Sequence, residues 1–525
     1  MTFSAKHILT ALVALLALVM AILPPPMLMP DQARILGIVL ITLVLWATSL
    51  VPGYLASLIF FAVLLVVGLA PPDLVFAGFS STAVWLIVSG FVIGAAISIS
   101  GLGAMLARGL APLLTGSYPR LIAGLMAVSV LLSFLMPSSV GRAVVMVPVG
   151  MALADQMGFG PGSKGRIGIA SVLAIGTNMP GFTILPSNIP NMVLSGAAET
   201  IHGAHFGYMD YLLLHFPVLG VLKAVAVVAL VLWMFPDTPS LALPAREAAK
   251  GDKPVSRAAR IRVAVILLAT LALWMTDSLH GVNSAWIGLV AAVLLLLPGI
   301  GIVSPPAFKA SVDFGMLLFV AGALALGALV NASGLGAMLG QVLIAVLPLE
   351  TGADATNFVS LSLMATVTGL FTTVPGVPAV LTPLAGDLAA QTGFSLNTVL
   401  MTQVIGFSTV IFPYQVGPLV VAMQMSGEKL GHLLRITLPL ALQGIHPARA
   451  VRRVWRFGDR SDLMRDLIFE PKIEVLSPKM RSLTGLRCGT ASSLAVIGFS
   501  GLYECGAVVT GRKGPEVPIA GWWKA

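Results

Sequence analysis

The chain contains the sequence SGLGAML at residues 100–106 and contains it again, unchanged, at residues 333–339. Seven identical residues in a row are hard to obtain by chance, so the two segments indicate an internal duplication. Similarity continues at nearly the same offset, since IGTNMPGFTILPSNIPNMV at 175–193 corresponds to IGFSTVIFPYQVGPLVV at 405–421. The duplicated regions extend over residues 55–196 and 285–427.

The composition is that of a protein surrounded by lipid. The 525 residues are 57% hydrophobic and 10% charged, whereas soluble domains carry about 25% charged residues. This excludes an ordinary soluble enzyme and predicts an all-α polytopic membrane protein with about 11 spans of roughly 20 residues. An odd number of crossings separates equivalent points of the two copies, so the repeats are predicted to be inverted. Inverted repeats are typical of secondary transporters, which hold substrate near the membrane midplane between broken helices.

The chain divides into five parts. They are N-terminal spans 1–54, a first repeat 55–235, a basic cytoplasmic loop 236–262, a second repeat 263–443 with a shortened last span, and a basic tail 444–525. The tail holds 13 of the 30 Lys and Arg residues, and it follows an apolar run of about 11 residues where a span needs roughly 20. Either a shift of reading frame near codon 443 or a genuine interfacial extension explains it, and no function is assigned to it.

Prolines and glycines interrupt the apolar segments at matching positions in both repeats. Two segments, 121–153 and 356–390, are predicted to be re-entrant hairpins with tips at 136–142 and 372–378. The spans that follow them are broken at 178–191 and 412–418. Small polar side chains beside such breaks can satisfy freed backbone groups or bind an ion. A helix N-terminus at the tip of a hairpin suits an anionic ligand.

At these residues the chain resembles the divalent anion/sodium symporters, the carriers of dicarboxylates, citrate and sulfate. The resemblance covers about 35–443 and rests on FAGFSSTAVWLIVSGF, on SGLGAMLAR, and on a polar hairpin tip followed ten residues later by Pro148 or Pro383. Members of this family carry a Ser-Asn-Thr signature at each tip, which binds substrate carboxylate and helps to hold sodium. Counting back from the prolines places Ser138-Ser139-Val140 and Thr373-Val374-Pro375 there, so only the first hydroxyl is kept. The resemblance implies a small anionic substrate, a sodium ion and a homodimer.

Arg142 is the most informative departure from the family pattern. It lies four residues beyond Ser138, near the predicted midplane, where a charged side chain is costly and is by default functional. Its fork of donors suits a carboxylate or sulfate, so we expect it to supply charge to the substrate. The structural alternative is that it extends to the cytoplasmic side or pairs with backbone carbonyl groups at the hairpin tip. Lys223, also at membrane depth, is expected to extend its ammonium group toward the surface.

Two overlapping sets of residues form the predicted site. The substrate-binding set is Ser138, Ser139, Arg142, Thr373, Asn188, Asn191 and Gln415. The cation-binding set is Ser138, Asn178, Thr372 and Thr373. Beyond sodium, no metal or cofactor is expected, because the seven histidines show no metal-binding spacing.

The sequence thus predicts a cation-coupled secondary transporter of di- or tricarboxylates or sulfate, working by alternating access. Basic residues of short loops fall on one side, except Arg34, when the N-terminus is cytoplasmic in a bacterial-type inner membrane. The basic loop is then a positive-inside loop, and no nucleic-acid partner is expected. The alternatives are an arsenite or sodium/proton antiporter of the same superfamily, a channel, an intramembrane hydrolase and a non-transporting scaffold. An enzyme is disfavoured because the sequence has no HExxH motif and no evident nucleophile with His and Asp.

Overall fold

The structure is a computed structural model that describes residues 5–48, 50–103, 105, 109, 116–239, 256–336, 338, 347–372 and 374–445. Within these ranges the regular elements are all helical and none is a strand. The helices of the first half are α1 (Ala5–Ile22), α2 (Pro30–Thr48), α3 (Gly53–Val67), α4 (Thr82–Ser100), α5 (Tyr118–Leu135), α6 (Ser139–Gln156), α7 (Lys164–Asn178), α8 (Ile189–His202) and α9 (Tyr208–Met234). Two short helices, Pro72–Val75 and Ala77–Ser80, precede α4.

The second half repeats this order. Its helices are α10 (Arg257–Met275), α11 (Ser284–Leu296), α12 (Phe314–Ala332), α13 (Asp354–Phe371), α14 (Gly376–Leu381), α15 (Ala385–Thr392), α16 (Leu396–Ser408), α17 (Gly417–Ser426) and α18 (Leu434–Ile445). A short helix, Pro305–Ser311, precedes α12 as the two short helices precede α4. Six of the described helices are long and apolar enough to cross a membrane: α2, α4, α5, α9, α10 and α12. The chain is therefore an all-α polytopic membrane protein, as its composition predicted.

The two repeats are interlocked. Helix α3 of the first repeat packs against α12 of the second, and the equivalent α11 packs against α4. The half-helix that follows each break crosses over in the same way, because α8 packs against α14 and α17 packs against α6. Since α6 and α14 belong to the two predicted hairpins, each break lies next to the hairpin of the other repeat.

Each predicted hairpin is a helix–turn–helix element. The first comprises α5 and α6 around residues 136–138, and the second comprises α13, α14, a 3-10 turn at Thr382–Leu384, and α15. Both extend two or three residues further at each end than the predicted 121–153 and 356–390. The difference arises because the first turn of a helix is often polar, so a run of apolar residues does not include it. In α5, for example, the first turn begins where the Ser117 hydroxyl accepts a hydrogen bond from the Arg120 amide.

The described helix nearest the predicted basic loop begins within the predicted range of that loop. Helix α10 begins at Arg257, inside the range 236–262, and the Ser256 hydroxyl caps it by accepting from the Ala259 amide at 3.2 Å. The last described helix is α18, Leu434–Ile445. The tail beyond residue 445 and the centre of the basic loop lie outside the described residues.

Candidate functional site

The first break is a completely buried stretch of irregular helix. Helix α7 ends at Asn178, two 3-10 turns follow at Met179–Thr183 and Leu185–Ser187, and α8 starts at Ile189. Every residue from 171 to 188 is buried. Pro180, Pro186 and the glycine between them remove the regular helix here, at the position that the sequence predicted.

Arg142 fastens this break to the first hairpin. Its side chain is 0% exposed, and its Nε donates to the Thr177 carbonyl at 2.7 Å at the end of α7. Nη1 donates to the Met136 carbonyl, to the Ser187 carbonyl at 3.3 Å and to the Ser187 hydroxyl at 2.8 Å. Nη2 donates to the Ser139 hydroxyl at 3.0 Å. The guanidinium therefore joins the hairpin tip to both ends of the break, as in the structural alternative considered from the sequence.

Three asparagines of the break carry buried polar atoms without a hydrogen-bond partner among the described residues. Both amide atoms of Asn178 are unpartnered, as are Nδ2 of Asn188 and Oδ1 of Asn191. Asn178 directly follows Thr177 and Asn188 directly follows Ser187, which are the residues that Arg142 holds on the two sides of the break. Because buried polar groups are almost always paired, this group of orphaned amide atoms is a candidate position for binding a polar ligand.

The remaining polar atoms of these asparagines have structural roles. Asn191 Nδ2 donates to the carbonyls of Gly181 and Ile184 at 2.8 and 2.9 Å, which ties α8 to the 3-10 turns. Asn188 Oδ1 accepts from the Ile189 amide at 3.1 Å at the start of α8. The amide groups of Asn188 and Asn191 are thus held in place while one edge of each stays free, whereas neither amide atom of Asn178 has a partner among the described residues.

The second break has a related but different construction. Helix α16 ends at Ser408, and a 3-10 turn at Pro413–Gln415 precedes α17. Gln415 Oε1 accepts from the amides of Ile411 and Phe412 at 3.0 and 2.7 Å. Its Nε2 donates to the Gly369 carbonyl at 2.7 Å, near the end of the first helix of the hairpin.

In each repeat, a side chain at the same position connects the break to the first helix of the hairpin by a hydrogen bond. Ser187 lies three residues before Pro190, and Gln415 lies three residues before Pro418. Just as Gln415 bonds to a carbonyl of α13, the Ser187 hydroxyl donates to the Ser133 carbonyl of α5 at 2.8 Å. The first repeat combines a short serine, Ser187, with the long Arg142. The second combines a long glutamine, Gln415, with the buried Val377, which matches Arg142 when Pro148 is aligned with Pro383.

Lys223 is a site residue that the sequence interpretation missed. Its Nζ donates to the Ser408 carbonyl at 2.6 Å, at the C-terminal end of α16. The expectation that it extends toward the membrane surface was therefore wrong. A lysine alone in an apolar run was the available signal, but its partner is 185 residues away in sequence and could not be identified without the fold.

The two breaks meet through an aromatic contact. The ring of Phe182 in the first break lies 5.8 Å from the ring of Phe407, centroid to centroid, and Phe407 directly precedes Ser408. The Tyr211 hydroxyl of α9 donates to the Phe182 carbonyl at 3.0 Å. The structure thus brings the ends of α7 and α16, one from each repeat, into a single buried region.

The hydroxyl groups predicted at the hairpin tips are engaged within their own elements. The Ser138 hydroxyl accepts from the Gly141 amide at 3.1 Å, as the cap of α6. The Thr372 hydroxyl donates to the Thr368 carbonyl at 2.9 Å. Thr373 lies outside the described residues. Of the residues predicted in the first repeat, Ser139 contacts Arg142 directly, and Asn188 and Asn191 lie in the break that Arg142 holds. Gln415 lies at the second break.

A cavity of about 340 Å³ lies apart from both breaks. Its polar lining residues are Asp73, Thr200 and Asn331, near the ends of α8 and α12. Thr200 is nine residues beyond Asn191 along α8, which corresponds to about 14 Å at 1.5 Å per residue. The orphaned amides do not line this cavity, and the break itself is buried.

Comparison with known proteins agrees with this architecture. A family model described as citrate transporter (CitMHS) matches residues 41–406. A membrane protein of Cupriavidus necator is 26% identical over 422 residues, covering 76% of this chain and 82% of that protein. The crystal structure of the YdaH transporter of Alcanivorax borkumensis, described as having an unusual topology, superimposes with a TM-score of 0.50 at 15% identity, covering 88% of this chain and 99% of that one. The structural similarity concerns the fold, whereas the family model spans most of the sequence, and the chain therefore belongs to the citrate transporter family of membrane transporters.

Proposed function

We propose that this protein carries di- or tricarboxylate anions of the citrate class by alternating access. The membrane is a bacterial-type inner membrane, with the N-terminus of the protein in the cytoplasm. The observation that carries the proposal is the combination of cationic side chains and free amide donors at the two breaks, which contact each other through Phe182 and Phe407. The family assignment supports the same substrate class.

The charges at the breaks favour an anionic ligand. Arg142 and Lys223 donate only to neutral oxygens, and neither takes part in an ion pair with any described carboxylate. The sequence has no Asp or Glu between residues 171 and 191 or between 396 and 426. Because charges interact more strongly in a medium of low dielectric constant, a bound di- or trianion would compensate the buried Arg142 and the partly buried Lys223. This arrangement disfavours a cation antiporter, which would need a carboxylate to exchange its ions.

The orphaned amides would hold the carboxylates. Asn178 and Asn188 each have a free Nδ2 donor, and an amide donor satisfies a carboxylate oxygen with a charge-assisted hydrogen bond. In this proposal Arg142 acts mainly as a positioning residue, because its bonds fix the backbone on which both asparagines stand. Its charge contributes to anion binding through space.

The burial of the break indicates how transport proceeds. A substrate bound at Asn178 and Asn188 would be enclosed, since residues 171–188 are all buried. Access from either side then requires the hairpins to move relative to the half-helices that they contact. The crossed packing of α8 on α14 and of α17 on α6 would couple the two movements.

Uptake by the Asn178→Leu variant tests this proposal. Purified protein in proteoliposomes is assayed with labelled citrate, succinate and sulfate. We expect Asn178→Leu to weaken apparent affinity roughly 10- to 150-fold, since a hydrogen bond to a charged group contributes about 1.5–3 kcal/mol. Replacing an unpartnered buried amide by an apolar group of similar size is nearly neutral for folding, so the variant should remain folded.

Ser171→Ala is the matched control for that variant. Ser171 lies on the same helix, and its buried hydroxyl also lacks a partner among the described residues, but it precedes the break by seven positions. We expect its uptake to equal that of the wild-type protein. Normal citrate uptake by Asn178→Leu would contradict the proposed site. Absence of anion uptake by folded wild-type protein, together with cation movement driven by a proton gradient, would favour the antiporter alternative.

A further inference from the structure

A positively charged side chain binds the C-terminal end of each of the two broken helices. The end of α7 is bonded through the Thr177 carbonyl to Arg142 Nε at 2.7 Å. The end of α16 is bonded through the Ser408 carbonyl to Lys223 Nζ at 2.6 Å. The two carbonyls occupy corresponding places in the two repeats, within one residue, yet the cations come from different elements, α6 and α9.

A helix C-terminus inside a transporter is a natural site for a coupling cation. Its last carbonyls lack intrahelical partners, and the helix dipole places partial negative charge there. In transporters with inverted repeats, such half-helix ends and unwound carbonyls coordinate the coupling ion. Here each end already holds a positive charge on a side chain, and a second cation at the same carbonyl would meet like-charge repulsion.

Few oxygens are free on the described residues that were expected to hold sodium. The Ser138 and Thr372 hydroxyls have partners within their own elements, and the Met136 carbonyl at the hairpin tip accepts from Arg142. Of the described members of the predicted cation-binding set, only Asn178 offers an unpartnered oxygen. Hard cations are bound by several oxygen ligands together, and a single amide oxygen next to the guanidinium of Arg142 does not provide them.

We propose that Arg142 and Lys223 are fixed cations that take the place of coupling sodium ions at the two broken helices. Anion carriage by this protein is therefore independent of sodium. Lys223 is a positioning residue in this scheme, because it holds the end of α16 through Ser408 and adds positive charge for the substrate. The inference rests on the proposed function and specifies which part of the chain supplies the counter-charge.

Citrate uptake into proteoliposomes in sodium or choline buffers is the first measurement. We expect wild-type rates to be equal in the two salts. Uptake that requires sodium would overturn the inference while leaving the proposed anion transport intact. Absence of anion uptake in both salts would instead contradict the proposed function.

Lys223→Met, compared with Lys309→Met, tests the fixed cation directly. Lys309 is an exposed lysine on the short helix Pro305–Ser311, so the same substitution there should leave uptake unchanged. We expect Lys223→Met to lower the rate about tenfold or more, which corresponds to loss of one hydrogen bond to a charged group. Wild-type rates in folded Lys223→Met would overturn the role of Lys223.

Thermal unfolding of the detergent-purified wild-type protein provides a readout that does not depend on transport. Sodium should not raise the unfolding temperature relative to choline at equal ionic strength, because a ligand stabilises only a protein that binds it. A rise specific to sodium would overturn the inference. This measurement and the wild-type uptake comparison decide it even if Lys223→Met does not fold.

Discussion

Replacement of Arg142 by methionine should destabilise the protein strongly and abolish uptake. The substitution removes the donor for the carbonyls of Thr177, Met136 and Ser187, all of them buried. At about 1 kcal/mol for each of the three buried carbonyls left without its donor, the free energy of unfolding should fall by about 3 kcal/mol. The penalty arises because methionine fills much of the volume but leaves three buried acceptors without partners.

The loss should be visible as a lower unfolding temperature. For a cooperative unit of 150–250 residues, 1 kcal/mol corresponds to about 2–4 °C, so Arg142→Met should unfold about 6–12 °C below the wild-type protein. Size-exclusion chromatography after heating in detergent measures this difference. Arg34→Met is the control, because Arg34 is 46% exposed and pairs with Asp31 at the surface, where an ion pair contributes about 0–1 kcal/mol.

Two results would refute this reasoning. An unfolding temperature of Arg142→Met equal to that of Arg34→Met would show that the guanidinium does not fasten the break. Normal citrate uptake by Arg142→Met would show that neither its charge nor its hydrogen bonds support the substrate site. Arg142→Lys, which keeps the charge but not the planar fork, should lie between the methionine variant and the wild-type protein in stability.

Two further substitutions test the breaks themselves. Gly181→Ala would place a Cβ atom 2.5 Å from Arg142 Nη2, so it should displace the guanidinium and reduce uptake. Gly160→Ala is the control and should have no effect, because no atom lies within 4 Å of its added Cβ. Equal uptake by the two variants would contradict the tight packing of the first break. Gln415→Leu should lower the unfolding temperature by an amount that corresponds to about 1–3 kcal/mol, because the Gly369 carbonyl loses its donor, and an unchanged unfolding temperature would contradict the role of this residue in the second break.

Much of the fold could be predicted because it depends on local properties. The breaks at 178–191 and 412–418 follow from proline and glycine, whose effects on the backbone do not depend on distant partners. The hairpin boundaries were misplaced by two or three residues because hydrophobicity does not report polar helix caps. Arg142 could be identified as important from its charge alone, since a charge in an apolar segment is costly wherever its partners are.

The partners of these side chains could not be predicted. The sequence identifies Asn178, Asn188 and Asn191 equally as polar residues near a break. Only the packing shows that Asn191 Nδ2 is engaged with Gly181 and Ile184 while both amide atoms of Asn178 remain free. The predicted sodium ligands were likewise plausible from their positions. Only the helix geometry shows which backbone groups bond to the hydroxyls of Ser138 and Thr372.

The sequence by itself determined that this is a duplicated, helical membrane protein with paired broken helices, because hydrophobicity, repetition and proline position are properties of the chain. Only the tertiary structure decided that the Lys223 ammonium donates to the Ser408 carbonyl, 185 residues away. The same is true of the contact between Phe182 and Phe407, which brings the two breaks together. The physical reason is that hydrogen bonds and ring contacts act over a few ångströms, so they depend on which segments the fold brings into contact.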